Sequence, residues 1–196
     1  QRRRTDRFLP GFHAFPGGKI DPEDLALAGG DPIQGARLAA IRETFEEPGD
    51  DALSLFRHHE DVIGGAEKLE LAGQWSSPPY LGIAFDTYYF VLWDENARPA
   101  VAHDNPELES GAWIRPRDAL RAWHRSEVLL APPTQALLTA LADGAGHRNE
   151  RFFEERGACR EEIVWSRIRP DITLFPLRTP TLPPATHTNA YLVGHS

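Results

Sequence analysis

Cysteine is nearly missing from this chain: Cys159 stands alone among 196 residues. That excludes an intramolecular disulfide framework and any multi-cysteine zinc site, and it points to a reducing compartment, with the cytoplasm as the expected location. Methionine is absent altogether, an initiator included, so a longer parent protein is expected. No stretch approaches the roughly 18 consecutive apolar residues needed to span a bilayer, and membrane insertion is not expected. The basic start Gln1-Arg2-Arg3-Arg4-Thr5-Asp6-Arg7 lacks the apolar run that would make it a signal peptide. Positive charge is also short. A net charge of −8 argues against phosphate-backbone binding of nucleic acid, and a small anionic substrate would need metal ions as intermediaries. No His-x-His-x-Asp-His or His-Glu-x-x-His arrangement occurs, so His58, His59 and His103 read as surface or loop residues.

What remains is a soluble-type balance of 41% hydrophobic and 26% charged residues, enough for one principal domain with an appendage. Phe12 and Ala14, flanked by aromatics, predict a short strand that ends in the turn Pro16-Gly17-Gly18. Residues 21–35, with Asp21-Pro22 and Gly29-Gly30-Asp31-Pro32, are too broken for one continuous helix and read as an ordered loop or insertion. From Ala36 to Glu47 helix formers run unbroken to the stop at Pro48-Gly49. Leu53 to Phe56 reads as helical, and 61–71 is mixed. Thr87 to Leu92 is dense in β-branched and aromatic residues and predicts a strand, with Ser76-Ser77-Pro78-Pro79 as the preceding loop. A polar loop is expected from Asp94 to Ser110, then short helices over Arg117 to Trp123 and over Thr134 to Leu141, the latter opened by Pro132-Pro133. Ile172 to Phe175 and Tyr191 to Val193 predict strands of a hairpin or extended appendage.

The helix ending at Glu47 carries the chemistry. At about 100° per residue, with Glu43 at zero, Glu46 falls near about −60° and Glu47 near about +40°, while Leu38, Ile41 and Phe45 lie on the far side. Three like charges at these spacings repel by about 0.2 to 0.5 kcal/mol per close pair, and no Lys follows at i+4. Taken alone, such a helix reads as a solvated acidic face bridged to Arg42. Hard divalent cations reverse that energy, since Mg²⁺ is held by a few carboxylates together with phosphate oxygens.

The preceding loop tips the balance. Gly17-Gly18-Lys19-Ile20-Asp21, followed by Arg42-Glu43-Thr44-Phe45-Glu46-Glu47-Pro48-Gly49, resembles the box of the Nudix hydrolases. The Arg-Glu-x-x-Glu-Glu-x-Gly half matches at every fixed polar position. Asp24 stands where the family has its first Glu, and 17 residues separate it from Arg42 where the family has seven. Asp50 replaces a terminal apolar residue, and Thr44 is a lesser departure. The long spacing resembles the branch that includes the peroxisomal coenzyme A diphosphatases, and Phe85-Asp86-Thr87-Tyr88-Tyr89-Phe90 is similar to a strand of that branch.

The resemblance implies an α+β Nudix fold, a mixed sheet sandwiched between helices in an α/β/α arrangement, over residues 1–160, with the box at 17–49 and its insertion at about 25–35. It implies hydrolysis of a diphosphate linkage in a nucleoside diphosphate bonded to another moiety, coenzyme A or acyl-coenzyme A being favoured. Mg²⁺ or Mn²⁺ would be held by Glu43, Glu46, Glu47 and the Gly17 carbonyl, with Arg42 orienting the carboxylates. Gly18, Lys19 and Asp86 would meet substrate. The general base would come from the helix, Glu46 included, or from Glu107 or Glu109 ahead of Trp113. The alternative is a catalytically weak Nudix-fold module that binds or regulates beside a partner domain.

Residues 161–196 form the expected appendage. Pro180 to Gly194 resembles the opening hairpin of metallo-β-lactamase-fold proteins, whose metal motif this chain lacks, and implies a fused or partner domain of that fold; a plain ordered tail is the other reading. A homodimer stays open.

Overall fold

A computed structural model describes residues 2–3, 11–46, 64–76, 86–93, 108–143, 165–178 and 187–194. The expected helix at Leu53 to Phe56, the box residues Glu47, Pro48, Gly49 and Asp50, and the candidate base Glu107 lie outside them. The chain divides into two compact units, one of Gln1–Ala72 with Tyr88–Trp113, the other of Gly73–Thr87 with Ile114–Ser196.

In the first unit, β1 (Arg2–Arg3) pairs antiparallel with β2 (Phe12–His13) on one side and with β5 (Leu108–Ser110) on the other. Two helices follow β2: α1 (Pro22–Leu27) and α2 (Pro32–Glu46). The region between the glycine turn and Ala36 is therefore largely helical where a loop was expected, and α2 begins four residues before Ala36. The cause is local. Asp31 caps α2, its Oδ1 accepting from the backbone N–H groups of Ile33 at 2.8 Å and Gln34 at 2.9 Å, and Pro32 fits the first helical turn because it has no N–H to satisfy. Pro22 likewise stands in the first turn of α1, after Asp21, which is extended at φ −85°.

Between the helices, Gly29 and Gly30 adopt φ +63° and +86°. The Gly30 N–H reaches the Leu25 carbonyl at 2.8 Å and the Gly29 N–H reaches Ala26 at 3.1 Å, a Schellman closure that needs a left-handed residue. Gly35 then lets α1 lie on α2, since a side chain there would meet Leu25 Cδ2 at 2.9 Å.

α2 buries Ala36, Leu38, Ala39 and Ile41, and Ile41 is only 2% exposed. Leu38 and Ile41 form a core with Ala66 and Leu69, against which Phe90 and Leu92 pack. Burying a side chain such as Ile41 contributes about 1.5 to 3 kcal/mol. Phe90 lies on β4 (Asp86–Val91), which pairs with β3 (Glu70–Ser76). The Arg37 guanidinium stands 6.0 Å above the Phe90 ring, at the limit of a cation–π contact.

In the second unit, α3 (Pro116–His124) packs on α4 (Pro132–Ala142), burying Ala119, Trp123, Leu137, Leu138 and Ala140. Both helices open on proline, and Arg117 Nε donates to the Ala142 carbonyl at 3.0 Å, satisfying the end of α4. The short strand β6 (Leu129–Leu130) lies between them in sequence. β7 (Ser166–Arg169), β8 (Ile172–Arg178) and β9 (His187–Val193) make an antiparallel sheet in that order, so the expected hairpin is longer than its two apolar clusters. β3 starts at the end of the undecided stretch, at Glu70 and Leu71, and runs to Ser76, where a loop was expected to open, and β5 closes what read as a polar loop to Ser110.

Candidate active site

Arg42 organises the first unit's box residues. Its Nη2 donates to Asp24 Oδ2 at 3.0 Å and its Nε to Asp24 Oδ1 at 3.5 Å, so the fork of the guanidinium spans the carboxylate. The same Nη2 donates to the Lys19 carbonyl at 2.9 Å and lies 3.3 Å from Asp21 Oδ2. Nη1 reaches the other way, to Glu43 Oε1 at 3.0 Å and Glu46 Oε2 at 3.2 Å. One planar cation thus ties the glycine turn, α1 and the acidic end of α2 together. A lysine could not, having one compact ammonium in place of a fork.

Asp24 is the buried end of this network, 5% exposed on the inner side of α1. Its Oδ2 also accepts the Asp21 backbone N–H at 2.9 Å, which closes the start of α1. A buried carboxylate needs such partners, because without them it would lose its hydration uncompensated. Asp24 and its hydrogen bond are the leading reason the Arg42 guanidinium is held charged well beyond its ordinary range; burial acts against this and Glu43 adds to it. The short side chain and long insertion that set Asp24 apart from the family pattern therefore leave its carboxylate on Arg42. α1 delivers it there.

Glu43 is the second point of interest. Its carboxylate lies under the glycine turn, where a Cβ on Gly18 would overlap it, with Oε2 only 2.7 Å away. The absence of a side chain at Gly18 is what lets the Glu43 carboxylate come this close. Gly17 next to it has nothing within 4 Å of a hypothetical Cβ. Burial pushes the Glu43 carboxyl above its ordinary value, the hydrogen bond from Arg42 pulling it partly back and the Glu46 charge pushing the same way as burial. Glu46 is more open, its side chain 58% exposed.

Lys19, Asp86 and Glu109, three further expected positions, are exposed. The Lys19 side chain is exposed, and its part in the network is its backbone carbonyl. Asp86 is exposed at the start of β4, in the second unit, and accepts a hydrogen bond from Ser76 Oγ. Glu109 is exposed on β5. Among the described residues no three His, Cys, Asp or Glu side chains converge as a ready metal site. Arg42 Nη1 bridges Glu43 and Glu46, and the third carboxylate of the helix, Glu47, is outside the described set. The donors present still fit a hard cation. They are carboxylate and carbonyl oxygens, and the Gly18 turn leaves the room that the Glu43 carboxylate occupies.

Asp21 was not singled out from sequence, although Asp21-Pro22-Glu23-Asp24 carries the signal: an acidic N-cap followed at the third position by another side chain able to reach back.

No protein-family model matches the chain. Over 169 residues it is 29% identical to a Caenorhabditis elegans protein named "Putative nudix hydrolase 7", a match covering 72% of this chain and 54% of that protein. The chain thus spans about half the length of the curated relative it matches. Among solved structures it is similar to a NUDIX hydrolase from Alicyclobacillus acidocaldarius, with a TM-score of 0.59 and 28% identity over 72% of this chain and 81% of that one. The chain has the α+β Nudix hydrolase fold, and its sequence similarity runs to Nudix hydrolases.

Proposed function

We propose that this chain is a metal-dependent Nudix hydrolase that cleaves the diphosphate bond of a nucleoside diphosphate linked to another moiety, coenzyme A or acyl-coenzyme A being the favoured substrate. The observation that carries this reading is the Arg42 network, which fixes Glu43 against the glycine turn while leaving Glu46 open to solvent. Similarity to Nudix hydrolases supports the reaction class.

Glu43, Glu46 and Glu47 would hold Mg²⁺ or Mn²⁺, together with the Gly17 carbonyl. When bound, such ions neutralise phosphate charge and make a water molecule nucleophilic at neutral pH. The protein's own part is positioning. Arg42 limits the rotamers of two carboxylates and holds the Lys19 carbonyl, so the turn and the helix keep one spacing. The general base would be Glu46, Glu107 or Glu109, and Gly18, Lys19 and Asp86 would meet the substrate. The lone Cys159 supports a reducing, cytoplasmic setting.

A catalytically weak binding or regulatory module fused to a partner domain is the second reading. Asp24, Asp50 and the insertion are its support, and the Asp24–Arg42 pair weakens the first of these. Residues 161–196 would then be the start of a metallo-β-lactamase-fold partner.

Incubating the protein with a panel of diphosphate substrates and Mg²⁺ or Mn²⁺, and quantifying nucleotide and phosphate products, tests the proposal. Turnover that is lost in Glu46→Gln supports it. Metal binding without turnover across the panel leaves the module reading in its place.

A further inference from the structure

Arg42 has five N–H donors, and each meets one acceptor. Three face away from the acidic end of α2: Nε donates to Asp24 Oδ1, and Nη2 to Asp24 Oδ2 and the Lys19 carbonyl. Two face it, with Nη1 donating to Glu43 Oε1 and Glu46 Oε2. The guanidinium is planar and rigid, so the three contacts on one side set where Nη1 stands. That nitrogen is the cation between the two carboxylates.

These grips differ in strength. The Asp24 side chain is 7% exposed, and a carboxylate buried to that degree keeps its charge only while a cation and hydrogen bonds replace its lost water. The Lys19 oxygen belongs to the backbone of the glycine turn. Glu43, with its side chain 15% exposed, is confined beneath Gly18. Glu46 is 58% exposed and pairs with Arg42 across one helical turn in contact with water, the kind of ion pair that contributes least. When a second cation competes for these oxygens, Glu46 is the acceptor that Arg42 gives up first.

We infer, resting on the metal-dependent reading proposed above, that Asp24 is a positioning residue for an exchange of partners at Glu46: it tethers the Arg42 guanidinium, so that Glu46 trades Arg42 for a divalent metal ion and the guanidinium does not follow. Untethered, that guanidinium would sit on a flexible side chain one residue from Glu43 and four from Glu46, and would compete with the metal for both. Tethered, its charge is cancelled by Asp24 at a fixed place. Asp21, Glu43 and Glu46 are then left as three negative charges around it, enough to draw a hard divalent ion past one nearby cation.

Isothermal titration with Mn²⁺ alone tests this. Asp24→Asn, which keeps the shape and loses the charge, should bind Mn²⁺ about 10-fold more weakly than the parent. Adding Arg42→Gln removes the competing cation, so the double variant should bind more tightly than Asp24→Asn by itself. Unchanged affinity in Asp24→Asn overturns the inference. So does a double variant that binds no better than Asp24→Asn, the result expected if Arg42 only orients the carboxylates. If Asp24→Asn does not fold, heteronuclear NMR of the arginine side chains in the parent decides. On adding Mg²⁺, the Arg42 Nη1 hydrogens should lose protection from exchange while the Nε hydrogen on Asp24 keeps it; loss at both, or at neither, overturns the inference. A parent that binds neither ion overturns it together with the metal-dependent reading, whereas metal binding with any of the contrary results above overturns the inference alone.

Discussion

Arg42 in the first unit and Arg121 in the second are held in opposite ways. In the first, Arg42 is shared among Asp24, Asp21, Glu43, Glu46 and the Lys19 carbonyl, and its side chain is 27% exposed. In the second, Arg121 pairs with Asp118 one helical turn away, and its side chain is 69% exposed. Both make ion pairs, yet only the first joins segments remote in sequence. The lesson is that an arginine count says little. What matters is whether removing the cation strands a buried anion, as it would at Asp24, or merely returns an exposed one to water.

The contrast should first be visible in catalysis. Glu43→Gln is expected to lower metal-dependent diphosphate hydrolysis by more than about 100-fold, since even partners behind a metal ligand are worth about 10- to 100-fold. Steady-state kinetics at saturating Mn²⁺ measures it, and near-parental turnover would count against the proposed site.

Stability comes next. Arg42→Ala should cost about 3 kcal/mol, the low end for breaking a buried pair because Arg42 is partly exposed, whereas Arg121→Ala should cost less than about 1 kcal/mol. Denaturant melts of the two variants compare them directly. Equal losses would erase the distinction between the units.

A finer cut falls within one dipeptide. In Gly18→Ala the new methyl meets the far end of a flexible side chain, so the Glu43 carboxylate swings away and stability changes by less than about 0.5 kcal/mol. Metal affinity should fall by about 10-fold, while Gly17→Ala leaves the Glu43 carboxylate in place. Isothermal titration with Mn²⁺ on both variants reads the difference.

The smallest effect is on pH. Burial raises the Glu43 carboxyl above its ordinary value in the folded protein. Between its ordinary and raised values the folded state keeps a proton that the unfolded chain has released, so stability from this group is present at low pH and lost as pH rises through the raised value. Glu43→Gln should therefore flatten that part of the stability profile and slightly raise the melting temperature of the metal-free protein at neutral pH. A lowered melting temperature with an unchanged profile contradicts it.

Much of this was legible before any coordinates. The apolar stripe of Leu38 and Ile41 is buried, the strand at Thr87 to Leu92 forms one residue earlier, a helix forms over the expected Arg117 to Trp123, and Pro132-Pro133 opens α4 as the lack of an N–H allows. The missing parts have physical reasons. Asp21-Pro22 and Gly29-Gly30-Asp31-Pro32 make 21–35 look like a loop, because Pro and Gly punctuate a sequence without revealing that the prolines open two helices and the glycines close the first. Glu70-Leu71-Ala72-Gly73-Gln74-Trp75-Ser76 holds no β-branched residue, so β3 depends on pairing with β4, a partner ten or more residues away. Asp21 and the Lys19 carbonyl entered the Arg42 network by tertiary approach, and no spacing rule reports a backbone oxygen.

The insertion at about 25–35 leaves from within α1 and ends on α2, against which α1 packs, so it is a detour whose exit lies near its entrance. Lengthening such a path is cheap, each doubling of a closed loop costing only about 0.6 kcal/mol. The spacing written in the sequence can therefore drift between relatives while the separation of Asp24 from Arg42 in space stays put. For chains that carry this turn and helix, the measure of kinship is the chord and not the arc.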